Sequence, residues 1–153
     1  MSVGSQSQIL KASDSLKACL AEVGKKEHFA VTNILFREDG DNAGVFLVVK
    51  GKVSLSVRNM PKLDRVFGAG SLLGLPSTFT GHPYSLTGTA VTDTDVVHVT
   101  RAVFVQLMRD RADLCREATE MLGREVTFIQ SALAERRRQA ASSRTPGSEL
   151  AVV

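Results

Sequence analysis

The stretch FLVVKGKVSLSV, residues 46–57, decides the fold class. Residues 46–49 form an apolar run of the length of a buried strand, and residues 53–57 alternate apolar and polar side chains with period two. Residues 50–52 between them contain a glycine, which is typical of a turn or a bulge. We therefore predict consecutive β-strands in the middle of the chain.

The same pattern continues on both sides of this stretch. Residues 85–92 are rich in Thr and Val, and residues 96–100 form another short β-branched run. Turn-forming residues separate these segments at positions 39–42, 59–62 and 93–95. Many short strands at this spacing predict a sandwich or jelly-roll over residues 29–100.

Helical periodicity flanks the predicted roll. An N-terminal helix is predicted over residues 7–23, ending at Gly24, because its apolar residues share one face: Ile9, Leu16, Cys19, Leu20 and Val23. After residue 100 a short helix, a joint at residues 109–113 and a long helix are predicted up to residue 141. We expect residues 1–141 to form one domain and residues 142–153 to be a flexible tail.

The long helix carries an apolar stripe with heptad spacing, formed by Leu122, Val126, Ile129 and Leu133. A helix of about 30 residues is about 45 Å long, whereas a domain of this size has a radius of gyration near 15 Å. Its far end should therefore overhang. The stripe predicts a homodimer seam; the alternative is packing against the roll.

Composition excludes several classes of protein. The 153 residues are 43% hydrophobic and 23% charged, with a net charge of +3, which argues against disorder and against a broad nucleic-acid surface. No run of 18 apolar residues and no secretory signal occur, so we expect a cytoplasmic protein with no membrane span. Cys19 and Cys115 are expected to be free thiols in apolar patterns.

The sequence shows no pattern of an enzyme or of a metal centre. No nucleophile–base constellation is recognisable, and the aspartates at 39, 41, 93 and 95 occupy turn sequences. His28, His82 and His98 lie far apart without neighbouring ligands, so no metal is predicted. We predict a binding protein without catalytic activity.

Two segments bring the chain close to a known family. The first, residues 35–53, joins LFREDGD to the strands quoted above; the second, FGAGSLLG at residues 67–74, is followed after an insert by TAVTDTDV at residues 89–96. In this order they resemble the cyclic nucleotide-binding domain of Crp/Fnr-type regulators. The resemblance implies a mainly β fold with flanking helices: a double-stranded β-helix, or β-roll, followed by a long dimerisation helix.

In that family the second segment leads into a phosphate-binding cassette, with backbone N–H groups at a short helix, a Glu for the ribose and an Arg for the cyclic phosphate. Here the Glu position is Leu75, followed by Pro76, and the Arg position falls at Tyr84 or Ser85. Loss of the Arg alone removes a charged hydrogen bond worth about 1.5–3 kcal/mol. The resemblance therefore implies a degenerate ligand site at Gly74, Leu75, Ser77, Thr78, Tyr84 and Ser85.

Residues 73–87 are thus expected either to line a pocket or to close the barrel as a surface loop. For a pocket, the predicted polar contacts are Thr78, His82, Tyr84 and Ser85, and the predicted walls are Leu75 and Phe79. The long helix of the family faces the ligand, which makes Thr127 and Ser131 candidate contacts.

Two functions follow as hypotheses. The first is a stand-alone Crp/Fnr-like sensor that binds a small effector, a cyclic nucleotide weakly or a non-standard ligand, and signals through its dimerising helix in transcription regulation or signal transduction. The alternative is a ligand-free dimerisation or protein-interaction module. DNA binding through Arg136, Arg137 and Arg138 ranks third, since the chain ends too soon after the stripe for a helix-turn-helix domain.

Overall fold

The computed structural model describes residues 8–58 and 65–142, which form eight strands and four helices. The strands are β1 (Lys25–Phe29), β2 (Ile34–Phe36), β3 (Val45–Lys50), β4 (Val53–Ser56), β5 (Arg65–Phe67), β6 (Leu72–Leu73), β7 (Thr87–Ala90) and β8 (Thr94–Val99). The helices are α1 (Asp14–Val23), α2 (Leu75–Thr80), α3 (Arg101–Asp110) and α4 (Ala112–Ser142). This arrangement confirms the predicted mainly β roll with flanking helices.

The strands form two antiparallel sheets of four. One has the order β1-β8-β3-β6 and the other β2-β7-β4-β5, so consecutive strands β3 and β4 belong to different sheets. The turn between them needs Gly51, whose φ is 101° and where a Cβ would lie 2.5 Å from the carbonyl oxygen of Asp93. The glycine in the quoted stretch therefore carries the chain from one sheet to the other.

Strand β3 is buried on both faces, as its unbroken apolar sequence predicts. Phe46 and Val48 point into a core between the two sheets, whereas Val45 and Leu47 point into a second core beneath the helices. Val49 departs from the prediction of a buried run, because it is 53% exposed at the end of the strand. The two cores join the roll and its helices into one packed unit.

Helix α1 begins seven residues later than predicted, at Asp14. The Ser13 hydroxyl accepts a hydrogen bond from the N–H of Leu16 and caps the helix, and Lys11 instead pairs with Ser71 in an isolated β-bridge. Ile9 therefore lies outside the helix and packs against the core between the sheets. Hydrogen bonding to the roll overrides the apolar periodicity of this segment.

The β structure also starts earlier than predicted. Residues 25–28, which we expected to follow the helix as a break, form β1 and pair with β8. Thr94 and Asp95 belong to β8 rather than to a turn, because both residues pair with β1. The Thr94 side chain is fully buried. The predicted turn at 59–62 and the predicted tail from residue 143 lie outside the described residues.

The C-terminal helices match their prediction, with Arg111 separating α3 from α4. Within α4 the first half is buried through Leu114, Ala118 and Met121. No helix in the described ranges 8–58 and 65–142 combines the length and apolar content that a bilayer crossing needs. Cys19 and Cys115 are free and half-buried.

Candidate functional site

The site forms where β6 passes through Gly74 into the short helix α2. Gly74 has a φ of 92°, and a Cβ there would approach the carbonyl oxygen of Gly44 to 3.0 Å. Pro76 occupies the first turn, where its missing N–H is tolerated, and the Thr78 hydroxyl donates to the Gly74 carbonyl at 2.7 Å. We call residues 74–86 the cassette segment.

Tyr84 anchors the cassette segment to the roll. Its hydroxyl donates to the carbonyl of Gly44 at 2.7 Å and accepts from the N–H of Ala43 at 2.9 Å, and its ring stacks on Phe36 with centroids 4.4 Å apart. Burial raises the pKa of the Tyr84 phenol, although the two backbone hydrogen bonds lower it. The polar group of Tyr84 is therefore engaged by the protein itself.

Two predicted pocket walls face away from the pocket. Leu75 is fully buried in the core beneath the helices, and Phe79 packs against the same core with its ring edge-on to Phe104 at 5.6 Å. The reason is that α2 lies between the roll and α3, so that one of its faces must fill the core. The prediction of Leu75 and Phe79 as ligand-facing walls was wrong.

Helix α4 covers the other face of the cassette segment. Glu125 and Ile129, one helical turn apart, line a pocket with Ser77, Tyr84 and Ser85, together with Phe36, Gly74, Pro76 and Leu86. The volume of this pocket is about 10 Å³, which is the space of a single water molecule. The long helix therefore closes the place where the resemblance puts a ligand.

Glu125 is the residue of this site that the sequence analysis missed. It is 3% exposed, and its Oε1 has no hydrogen-bond partner among residues 8–58 and 65–142. Burial alone raises the pKa of Glu125 to about 8, so that the carboxyl is largely protonated near neutral pH. A signal existed: Glu125 continues the buried spacing of Leu114, Ala118 and Met121, where an apolar residue is expected.

Other predicted contacts lie outside the pocket. Thr127 and Ser131 are exposed, and the Thr127 hydroxyl donates to the carbonyl of Gly123. His82 is exposed as well. Among residues 8–58 and 65–142 no three His, Cys, Asp or Glu side chains are placed to share a metal ion.

Arg101 at the start of α3 holds the far end of α2. Its Nε donates to the carbonyl of Thr78 at 2.9 Å, and its guanidinium lies against Gly81, where a Cβ would meet it at 3.2 Å. The contact satisfies a carbonyl at a helix C-terminus. Arg101 is thus the arginine of the cassette region, but it faces the C-terminal end of α2 rather than the pocket.

The four residues of the predicted dimer seam divide into two groups. Leu122 and Ile129 pack partly against the two cores of their own chain, as the alternative interpretation expected, and Val126 is half-buried like them. Leu133 is 38% exposed and lies one helical turn beyond Ile129. From Ile129 to Ser142 the helix extends about 20 Å further.

A β-roll with a short helix after a glycine turn, covered by a long C-terminal helix, defines a class of regulatory sensor domains. A family model described as the Cyclic nucleotide-binding domain matches residues 12–111. The chain belongs to the cyclic nucleotide-binding domain family, whose regulators are generally non-enzymatic sensors.

Solved structures agree on the fold. A chain from work on a cyclic-GMP-dependent signalling pathway that regulates bacterial phytopathogenesis has a TM-score of 0.66 at 19% identity, covering 79% of this chain and 96% of its own. The Thermus thermophilus catabolite activator protein has a TM-score of 0.56 at 20% identity, and the match covers 86% of this chain. The N-terminal domain of a transcriptional regulator from Streptomyces coelicolor A3(2) gives 0.54 at 22% identity, over 88% of both chains.

The lengths differ between these proteins. This chain spans 58% of the Thermus thermophilus protein, which is less than two thirds of its length. No curated protein sequence matches the chain significantly.

Proposed function

We propose that this chain is a sensor module in which a small effector enters between the cassette segment and α4. Binding would displace the distal half of α4, and that displacement is the signal. The effector is a cyclic nucleotide bound weakly or a non-standard ligand, and the process is transcription regulation or signal transduction. The closure of the cassette pocket by Glu125 and Ile129 is the observation that supports this proposal.

The pocket geometry supports a coupling between effector binding and movement of α4. A pocket of about 10 Å³ cannot hold an effector while Ile129 remains in place. The effector must therefore select a conformation in which this part of α4 has moved, and the shift is limited by its differential affinity for the two conformations.

The proposal includes a homodimer formed by the distal part of α4. An apolar side chain on a helix that projects into solvent gains most from a second copy across a two-fold axis, and Leu133 is such a residue. Displacement of α4 would then change the relative position of the two copies.

A tryptophan reporter on α4 tests the proposal, because the chain has no native tryptophan. Phe128 contacts Phe67 of the roll edge-on, with centroids 6.2 Å apart, so the Phe128→Trp variant reports the separation of α4 from the roll. Titration with millimolar cAMP, cGMP and a set of small molecules should shift its emission and raise the melting temperature together. Stabilisation without any change in emission would contradict the coupling.

A ligand-free dimerisation or protein-interaction module remains the second candidate. It is favoured by Tyr84, whose hydroxyl is already bound to Gly44 and Ala43. It is favoured also by Leu75, which fills the core where the family carries its ribose-binding Glu. Unchanged melting temperature and emission across the whole panel, together with a stable dimer, would support this candidate over the first.

A further inference from the structure

The side chains that line the cassette pocket include a buried carboxyl with an unpartnered oxygen but no cationic group. Oε1 of Glu125 has no partner, and the Ser77 hydroxyl already donates to the carbonyl of Pro83 at 3.1 Å. The Tyr84 hydroxyl also donates within the protein, and Pro76 has no N–H to give. None of the nine lining residues is Arg, Lys or His.

We infer, on the basis of the proposed function, that the effector is a hydrogen-bond donor, neutral or cationic, and that Glu125 is the residue that recognises it. An amine, amidine or guanidine on a flat apolar body fits this description. The carboxyl of Glu125 would accept its hydrogen bonds, while the aromatic and aliphatic walls of the pocket would contact its body. An anionic ligand would find no cationic side chain among the residues that line the pocket.

The apolar walls set the shape of the ligand. Phe36 and Tyr84 are stacked with an interplanar angle of 27°, and Leu86 and Ile129 complete the lining. A flat body bearing one cationic end therefore matches the pocket better than a bulky or an anionic molecule.

The closed state leaves Glu125 in an unfavourable condition that such a ligand relieves. A buried polar atom without a partner costs free energy, and a cationic donor would pair with it. Since burial keeps the Glu125 carboxyl protonated, binding of a cation would release that proton to solvent. The affinity for a cation should therefore rise with pH up to about 8, by as much as tenfold per unit.

Few other charges act on Glu125 from the surrounding elements. Tyr84 is the one other titratable residue in the lining, and α2, with the sequence LPSTFT, has no ionisable side chain. On α4 itself, Arg124 directs its Nε to the carbonyl of Ile9 at 2.8 Å, and Glu120 is exposed. The pH dependence of cation binding can therefore be assigned to Glu125.

Glu125 is placed on α4 so that it can hold a ligand while the side chain of Ile129 moves away. Ile129 lies one turn beyond Glu125, towards the projecting end of the helix, so an outward bend of the distal half withdraws Ile129 further than Glu125. The helix can bend at Gly123, where the backbone has no side chain to stiffen it. Glu125 would then stay near the cassette segment while room opens beside it.

Three probes of equal size and different charge test the inference on the full chain: benzamidinium, benzamide and benzoate. Thermal unfolding at matched ionic strength should show stabilisation in the order benzamidinium, benzamide, benzoate. At about ten times its dissociation constant, a probe raises the melting temperature by roughly 3–6 °C. Benzamidinium should bind at least about tenfold more tightly than benzoate.

The Glu125→Gln variant supplies the matched test of the residue, with Glu120→Gln on the exposed face of the same helix as its control. Glu125→Gln should weaken benzamidinium binding by about tenfold to hundredfold and abolish its pH dependence, whereas Glu120→Gln should change neither. Because the probe series already tests the charge preference of the unmodified chain, the result stands even if Glu125→Gln folds poorly.

The outcomes separate this inference from the proposed function. Stabilisation by cAMP or benzoate but not by benzamidinium would overturn the inference and leave the sensor proposal standing. Equal benzamidinium binding by the chain and its Glu125→Gln variant would also overturn it. Failure of every probe, with no movement of α4 in the Phe128→Trp variant, would count against both proposals.

Discussion

Ser13 and Glu117 are joined by two hydrogen bonds that tie α1 to α4. The backbone N–H of Ser13 donates to Oε2 of Glu117 at 2.7 Å, and its hydroxyl donates to Oε1 at 2.6 Å. The same hydroxyl caps α1 by accepting from Leu16. The first half of α4 is thus fixed to the domain, and any movement of the helix must occur beyond it.

We expect Glu117→Ala to lower the free energy of unfolding by about 1–3 kcal/mol. The reason is that the N–H and the hydroxyl of the capping residue Ser13 both lose their hydrogen bonds to the Glu117 carboxylate. Chemical denaturation measures the change. Glu120→Ala on the exposed side of α4 is the control and should stay within about 0.5 kcal/mol. Equal effects of the two substitutions would show that the bidentate contact contributes nothing.

Removal of the Tyr84 hydroxyl should destabilise the roll while leaving its ring in place. In Tyr84→Phe the buried carbonyl of Gly44 loses its 2.7 Å donor, and a loss of about 1–2 kcal/mol is expected. Ser85→Ala, at an exposed neighbouring position, is the control. An unchanged midpoint in denaturant would contradict the anchoring role of Tyr84.

Stability should fall as pH rises from about 5 to 8, because Glu125 has a pKa of about 8 in the folded chain and an ordinary pKa near 4.5 when unfolded. Between these values the folded chain holds a proton that the unfolded chain has released. Its stabilising effect is complete below pH 4.5 and is lost as pH rises to 8, with a slope of up to about 1.4 kcal/mol per pH unit.

Denaturation at several pH values, compared between the chain and Glu125→Gln, measures this slope. The comparison removes the contributions of all other titratable groups, because these groups are the same in both proteins. Parallel curves for the two proteins would exclude Glu125 as the source of the dependence.

Gly123→Ala should stabilise the chain by about 0.5–1 kcal/mol, because a Cβ at this helical position meets no atom within 4 Å. It should also reduce the response of the Phe128→Trp reporter to ligand if α4 bends there. The contrasting variant is Gly44→Ala, where φ is 107° and a Cβ would lie 2.0 Å from the Val99 carbonyl oxygen. That substitution should strongly destabilise the protein.

Leu133→Arg should weaken self-association by at least about tenfold, since it places a charge in the proposed dimer seam. Sedimentation equilibrium measures the dissociation constant. Gln130→Arg adds the same charge at another exposed position of α4 and should have a smaller effect. A monomeric unmodified chain at high concentration would refute the seam.

The sequence carried enough information for most of the fold. Strands β3 and β4 follow from local patterns, since an apolar run buried on two faces and an alternating run leave distinct signatures. Helix α1 was predicted too long, because the amphipathic spacing of Ile9 extends beyond the Ser13 cap. Strand β1, with the polar sequence KKEHF, has no such signature and exists through its pairing with β8.

The site was harder to predict, because its features depend on which face of each element is buried. Leu75 occupies the family's Glu position, yet only the packing of α2 against α3 shows that its side chain enters the core. Glu125 is an ordinary residue in a charged helix until Met121 and Ala118 are known to be buried on the same side. The sequence therefore indicated where the cassette segment lies, but it did not indicate that Glu125 and Ile129 of α4 close the pocket beside it.

The length of α4 beyond Gly123 makes it a mechanical lever arm. Nineteen residues follow Gly123 up to the end of the helix at Ser142, which corresponds to about 28 Å of helix. A tilt of about 10° at the glycine would displace the helix end by about 5 Å, roughly one helical turn. A movement of Ile129 at the pocket would therefore be amplified towards the helix end, into a displacement large enough to change the register between two paired helices.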